Sequence, residues 1–247
     1  MDSMNSRRSI RRYTQQPIED SLLNELLTTA SRGSTCGNMQ LYSVVKTVSA
    51  EGKRALSPLH MGQPMVEGAP LLLTFCIDYR RFTLWCEQRR AVPGYDNLLS
   101  FLNAAIDTLV LTERFATAAE EKGLGICYLG TTLYTAGKII EQLRLPRLVF
   151  PITTLSVGYP DEQPPMTDRL SVPAFLHEEY YHDYTAEDID RYYVPKEALP
   201  ENHQFIVENG KETLAQVFTD VRYPKASNEA VSADLLDLLR KQGFLPE

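Results

Sequence analysis

Seven residues near the start of the chain, Arg7-Arg8-Ser9-Ile10-Arg11-Arg12-Tyr13, gather four guanidinium groups and a hydroxyl just before an apolar periodicity begins. Guanidinium forks bind phosphate or carboxylate through paired, charge-assisted hydrogen bonds, and a serine between them can donate to the same anion. Two readings stand side by side, an anion site and a solvated basic arm. Other chemistry-bearing residues are sparse. Cys36, Cys76, Cys86 and Cys127 show no C-x-x-C spacing, a usage that suits a reducing compartment. Cys36 stands in a small-residue loop with no histidine nearby in sequence to activate it. His177 and His182 are five apart, not the four that set two imidazoles on one helical face, so no metal site is expected. His60 and His203 stand alone and read as structural or exposed. Gly123-Leu124-Gly125 with Gly130 departs from the dinucleotide spacing G-x-G-x-x-G and reads instead as a helix C-cap and a turn. Neither a G-x-S-x-G elbow nor a P-loop is present.

These groups sit in a chain of 247 residues, 43% apolar, with a net charge of −7. Such a chain can bury a proper core. A basic cluster in an acidic protein is a local device, which argues against a nucleic-acid binder. The first residues are charged, and no apolar run reaches the length of a membrane span. A soluble, cytoplasmic protein without membrane contact is the expectation.

Spacing predicts the elements that must position the arginines. Pro17 opens an amphipathic helix through Ile18, Leu22, Leu23, Leu26, Leu27 and Ala30 that ends at Gly33. The small polar loop 31–38 feeds a strand over 41–48, followed by a short helix near 51–56 and a buried strand over 71–77. The longest helix runs from Asn97 to Lys122. Its apolar residues cover more than one face, so burial on several sides, partly by another subunit, is expected. A short strand from Gly125, a helix over 136–143 and a strand over 150–160 follow. Beyond Tyr180 the composition turns to Tyr, Asp and Glu up to a final helix over 233–241. This tail reads as an extension wrapped over the domain, its tyrosines packing it down. The expected organisation is one domain over 1–247, with a core over about 5–176 and an extension over 177–247.

Taken together, the sequence resembles the flavin-dependent nitroreductases. The resemblance rests on Arg7 to Tyr13 followed by Pro17-Ile18, the Ser/Gly-rich loop with Asn38 and Gln40, the run Gly123 to Gly130, and the Leu-x-x-Gly-x-Pro strand end at Leu155 to Pro160. It covers about residues 5–176, and the end of the final helix is similar to the larger, oxygen-insensitive nitroreductase and flavin reductase branch. The resemblance implies an α+β fold, a three-layer sandwich with a central mixed β-sheet flanked by helices. It also implies a homodimer with FMN at the subunit interface. Arg7 and Arg169 would hold the FMN phosphate, Arg11 would face the N1 and O2 edge of the ring, and Arg8 and Ser9 would complete that segment. Thr35 and Gln40 match cofactor-contacting positions of the polar loop, and Gln63 matches a glutamine near the ring. Tyr128, Leu129, Gly130 and Thr131 would pass over the ring.

No side chain is expected to act as a catalytic group, because the cofactor carries the hydride chemistry. NAD(P)H would be the donor, and a nitroaromatic, quinone or flavin the acceptor, in a ping-pong cycle. The acceptor pocket is assigned to loops over 79–96 and to the tail. Two departures from the branch bear on this. Thr167 stands where a lysine is usual, and the branch's basic loop corresponds to the acidic Val207 to Glu212, which argues against a strong NADPH preference. Two other classes stay open: a flavin sensor or storage module without nicotinamide turnover, and a non-flavin protein whose basic arm docks an acidic partner.

Overall fold

The computed structural model describes residues 2–246. It divides into two compact units. One reaches from the N-terminus to Pro165 and is taken up again at Asp234, and the other is Met166–Ala233. This differs from the expected break at 176/177 with the whole tail set apart.

The first unit is built on four strands, β1 (Tyr42–Thr47), β2 (Leu71–Asp78), β3 (Gly125–Leu129) and β4 (Val149–Gly158), in the order β1-β2-β4-β3. Strands were expected in all four places. The sheet is antiparallel in every pairing among the described residues, where a mixed one was expected. The reason is topological: β2 and β3 run in the same direction, but β4 lies between them, so no parallel pair forms. Pro151 lacks an N–H and is tolerated inside β4 because β3 pairs only from Thr154 onward, leaving that stretch of β4 an edge. A bulge in the β2–β4 register falls at the same place.

Helices α1 (Asp20–Ala30), α2 (Ala50–Leu56), α3 (Pro64–Gly68), α4 (Arg80–Gln88), α5 (Leu98–Glu121) and α6 (Ala136–Gln142) complete this unit, with the end of α9 (Lys225–Lys241). On one face Leu71, Leu73 and Phe75 meet Leu23, Leu26 and Ala30 of α1 and Leu111, Phe115 and Ala119 of α5. On the other face Leu72, Cys127 and Leu129 meet Leu56, Met65 and Val66. Burial of two such layers is the main driving force for the fold. At the end of the sheet Ile77, Phe150, Ala104, Leu239 and Phe244 form a third cluster, in which Phe101 packs edge-on against Phe150 and Phe244.

The longest helix is sharply bounded. Asn97 caps α5 by accepting from the Ser100 amide at 2.9 Å. Gly123 ends it at φ +78°, with the Leu124 amide donating to Ala119, in the left-handed position that favours glycine. Its apolar residues are not all covered, however: Leu98, Leu99, Leu102, Ile106 and Leu109 are exposed. Over 79–96, read from sequence as loop, Arg80–Gln88 is helical. No helix among the described residues is long and apolar enough to cross a membrane.

The second unit contains α7 (Ala186–Glu197) and α8 (Pro200–Glu208), and the first turns of α9. Thr185 and Asp188 form a capping box at the start of α7. Tyr181, Tyr184 and Tyr192 pack with His177 as an aromatic cluster of their own.

Candidate functional site

The basic stretch is neither a free arm nor a helix. It lies extended along the edge of the sheet: the Ile10 amide donates to Ile126 of β3 at 2.9 Å, Tyr13 bridges Pro160, and the Thr14 amide donates to Tyr159. The Tyr13 hydroxyl, buried, donates to the Ile10 carbonyl at 2.5 Å and meets the Ser156 hydroxyl at 2.8 Å, fixing the bend of the arm. Glu162 accepts from the Arg11 and Arg12 amides at 2.5 and 3.0 Å. Those amide bonds, the Arg11 one foremost, hold its carboxyl below the usual range. Arg12, which has no assigned role in the resemblance, pairs with the same carboxylate at 3.2 Å while remaining 73% exposed.

The arginines therefore separate. Arg7 lies over the Tyr128 ring at 5.8 Å and pairs with Glu120 of α5 at 3.5 Å. The Tyr128 hydroxyl donates to Glu113 at 2.8 Å. Burial pushes the Glu120 carboxyl up to about 7, against the pull of Arg7. Arg8 turns to main-chain carbonyls, donating to Pro164 at 3.0 Å and Ser6 at 3.2 Å. Ser9 makes no hydrogen bond among the described residues. Arg11 stands beside the Cys127 thiol, whose pKa is raised by burial more than Arg11 and Arg7 lower it. A cavity of about 510 Å³ opens between Arg7, Arg8, Glu120, Gly125 and Glu162.

A second set gathers at the end of β3, around the turn Gly130–Thr132. His60 is fully buried, and its Nδ1 lies 2.9 Å from the Thr131 hydroxyl. The Thr135 hydroxyl donates to Leu59 at 2.6 Å. These two contacts tie the turn to the loop Ser57–Gln63, in which Met61 and Gly62 take left-handed backbone and the Gln63 amide donates to His60. The loop that carries Gln63 is thus tied to the turn that carries Gly130 and Thr131, with Tyr128 and Leu129 on the strand leading in. His60, read from sequence as structural or exposed, is the structural residue here, and its pairing with Thr131 has no signal in the sequence. Burial holds it neutral, with its pKa down to about 4, and its Nε2 is buried without a hydrogen-bond partner among the described residues.

Thr35 and Gln40 belong to a third set. Asp107 of α5 accepts from the Cys36 amide at 2.8 Å and the Leu41 amide at 3.4 Å, pinning this loop to the helix. Gly37, Asn38 and Gln40 all have positive φ, a strained backbone for the last two. No hydrogen bond among the described residues joins this loop to the other two sets. Arg169 lies in the second unit, where its guanidinium donates to the Thr167 hydroxyl at 2.7 Å and the Asp168 carbonyl at 2.8 Å. Thr167, which stands where the branch carries lysine, therefore serves to orient Arg169. His177 and His182 have ring centroids 6.5 Å apart, and no group of metal-ligating side chains is found among the described residues.

A family model described as the nitroreductase family matches residues 4–159. The FMN reductase [NAD(P)H] of Bacillus subtilis (strain 168) is 29% identical over 255 residues, covering 99% of this chain and 97% of that protein. A crystal structure from Bacteroides fragilis NCTC 9343, provisionally described as an oxidoreductase, is 61% identical with a TM-score of 0.98, covering 99% of this chain and all of that one. The NfrA1 nitroreductase of B. subtilis is 27% identical with a TM-score of 0.87, covering 100% of this chain and 99% of that one.

Proposed function

The chain belongs to the nitroreductase family, and from that premise we propose that it is an FMN-dependent oxidoreductase taking its electrons from NAD(P)H. The observation that carries this reading is the placement of Arg7 over Tyr128 and Arg11 beside Cys127. Both lie on β3 just before the Leu129-Gly130-Thr131 turn. Cationic forks and a polar turn meet there, as a phosphate-bearing heteroaromatic cofactor requires. The residues present fit such a group: a side-chain atom added at Gly130 would meet nothing within 4 Å, so the turn is open on that side, and His60 Nε2 is a buried polar atom with no hydrogen-bond partner among the described residues.

FMN, when bound, supplies a ring that accepts a hydride from nicotinamide and passes the electrons to an electron-poor acceptor such as a nitroaromatic, quinone or flavin. The chain's part is binding, orientation and charge. Arg7 is assigned to the phosphate end, with Arg8 and Ser9 completing that segment. Arg11 is assigned to the ring edge, where a fixed cation favours the negative charge that reduction creates. Tyr128, Leu129, Gly130 and Thr131 are assigned to the ring face together with Gln63, held in place by the neutral His60. Glu120 competes with an anion for Arg7, and a carboxyl near half-protonation at neutral pH competes less than a fully ionised one.

The site is completed by a second copy. Leu98, Leu102, Ile106 and Leu109 form an exposed apolar stripe on α5, and the loop carrying Thr35 and Gln40 is anchored on Asp107 of the same helix. A homodimer closed on that stripe would carry this loop, with its two cofactor-contacting positions, to the interface. For the donor, the acidic Glu208 and Glu212, with Lys211 already paired to Asp220 at 2.9 Å, disfavour an added 2′-phosphate.

Purified protein should bind FMN in equal ratio to protomers, and the flavin absorbance should bleach rapidly with NADH and no more than about tenfold faster with NADPH. Protein that takes up no FMN would overturn the reading. Bound flavin that neither nucleotide reduces would establish the sensor or storage alternative instead.

A further inference from the structure

One face of the sheet is covered by α2 and α3 near Leu72. Further along β2 the same face, at Cys76 and Asp78, floors a cavity of about 750 Å³. None of the residues assigned to FMN lines it. Its wall includes Trp85 of α4, 53% exposed, together with the apolar Leu145 and Pro146. Besides Arg81, two exposed arginines line it, Arg80 at the start of α4 and Arg144 just after α6. Neither guanidinium has a hydrogen bond or ion pair to any described residue.

Among the described residues, the one carboxylate lining the cavity is already engaged. Asp78 accepts from the Ser43 hydroxyl and, at 3.0 Å, from the Arg81 amide. The Arg81 guanidinium is itself held by the Gln40 and Tyr42 carbonyls. Two positive charges thus remain unanswered beside an exposed indole, in a protein whose net charge is −7.

Arg144 is also costly to the backbone. It has φ +53°, in the helix end closed by the Leu145 amide donating to Ile140. Glycine is the default at that position, because an L side chain is strained in left-handed backbone. The helix-end dipole offsets part of that strain for a cation. No hydrogen bond or ion pair to a described residue accounts for an arginine there.

We propose that this cavity is a ligand site separate from the flavin, for a small anion with a flat aromatic body. An aromatic carboxylate would lay its ring against Trp85 and present its charge to Arg80 and Arg144. Ring stacking and charge-assisted pairing are the contacts these side chains offer. The inference does not rest on the proposed reductase activity.

Trp85 is the sole tryptophan, so its fluorescence reports from the wall of the cavity. FMN-saturated protein, without nicotinamide, would be titrated with 4-nitrobenzoate and with uncharged nitrobenzene. The expected result is saturable quenching by 4-nitrobenzoate, whose midpoint moves at least tenfold upward in the Arg80→Gln/Arg144→Gln double variant and rises with added salt in the wild type. Quenching that climbs linearly without saturation would overturn the proposal. So would a midpoint shared by the double variant, or by nitrobenzene, since the arginines would then play no part.

Discussion

Arg7 and Glu120 set the electrostatics of the candidate site at the scale of single residues. Glu120 keeps only 15% of its side chain exposed, and burial lifts its carboxyl to about 7 although Arg7 pulls the other way. Above its ordinary pKa of 4.5 this group holds its proton longer in the folded than in the unfolded chain. Its contribution to stability therefore falls as pH rises from 4.5 to about 7, and stays lost above that. Glutamine cannot ionise. The stability of Glu120→Gln relative to wild type should accordingly improve by about 1 to 2 kcal/mol between pH 5 and pH 8. Urea unfolding at the two pH values reads this directly, and an unchanged difference would remove Glu120 from the account. The arginine half of the pair was legible in the sequence because four guanidinium groups fall within a few residues. The glutamate half was not, since it stands far away on a helix where a charge looks like any solvated one. The role of His60 escaped for a related reason: its value lies in a partner, Thr131, that only the fold supplies.

The arm and β3 work as one element. A Cβ built on Gly125 would lie 2.7 Å from the Ile10 side chain, so the arm reaches its place only because β3 begins with a glycine. Gly125→Ala should lift the arm away, at a cost of about 1 to 3 kcal/mol typical of overpacking. It should also leave purified protein with less bound flavin. Wild-type stability and flavin content in that variant would show that the arm docks some other way. Elements with local signals were legible in the sequence. α5 falls within a residue of its expected bounds because Asn97 and Gly123 mark both ends. The arm carries no strand-like alternation and is held by a few long-range hydrogen bonds, so its docking was not legible. The final helix begins at Lys225, eight residues before its expected start, because the first two turns of α9 have no apolar stripe to announce them.

The exposed stripe on α5 decides the behaviour of the whole molecule. Its leucines and isoleucine recur at helical spacing, yet the protomer leaves them uncovered. Wild-type protein should sediment as a dimer, and Leu102→Glu combined with Ile106→Glu should give a monomer that retains little FMN. A monomeric wild type, or a double variant of unchanged mass, would rule out this interface. The sequence did suggest a second subunit, through the excess of apolar faces on α5. It did not reveal the division into two units: the Pro-rich link Gln163-Pro164-Pro165 marks the exit from the first, but the return at Asp234 falls inside a continuous helix and carries no mark of its own. That return has a consequence in time. Phe101 and Phe150 complete their cluster only with Phe244, which the ribosome makes after the whole of Met166–Ala233. At about 5 to 20 residues per second, that stretch alone holds the third cluster open for roughly 3 to 14 s. During synthesis, therefore, two aromatic rings at the end of a nearly finished sheet stay exposed to solvent and to whatever chaperone is at hand.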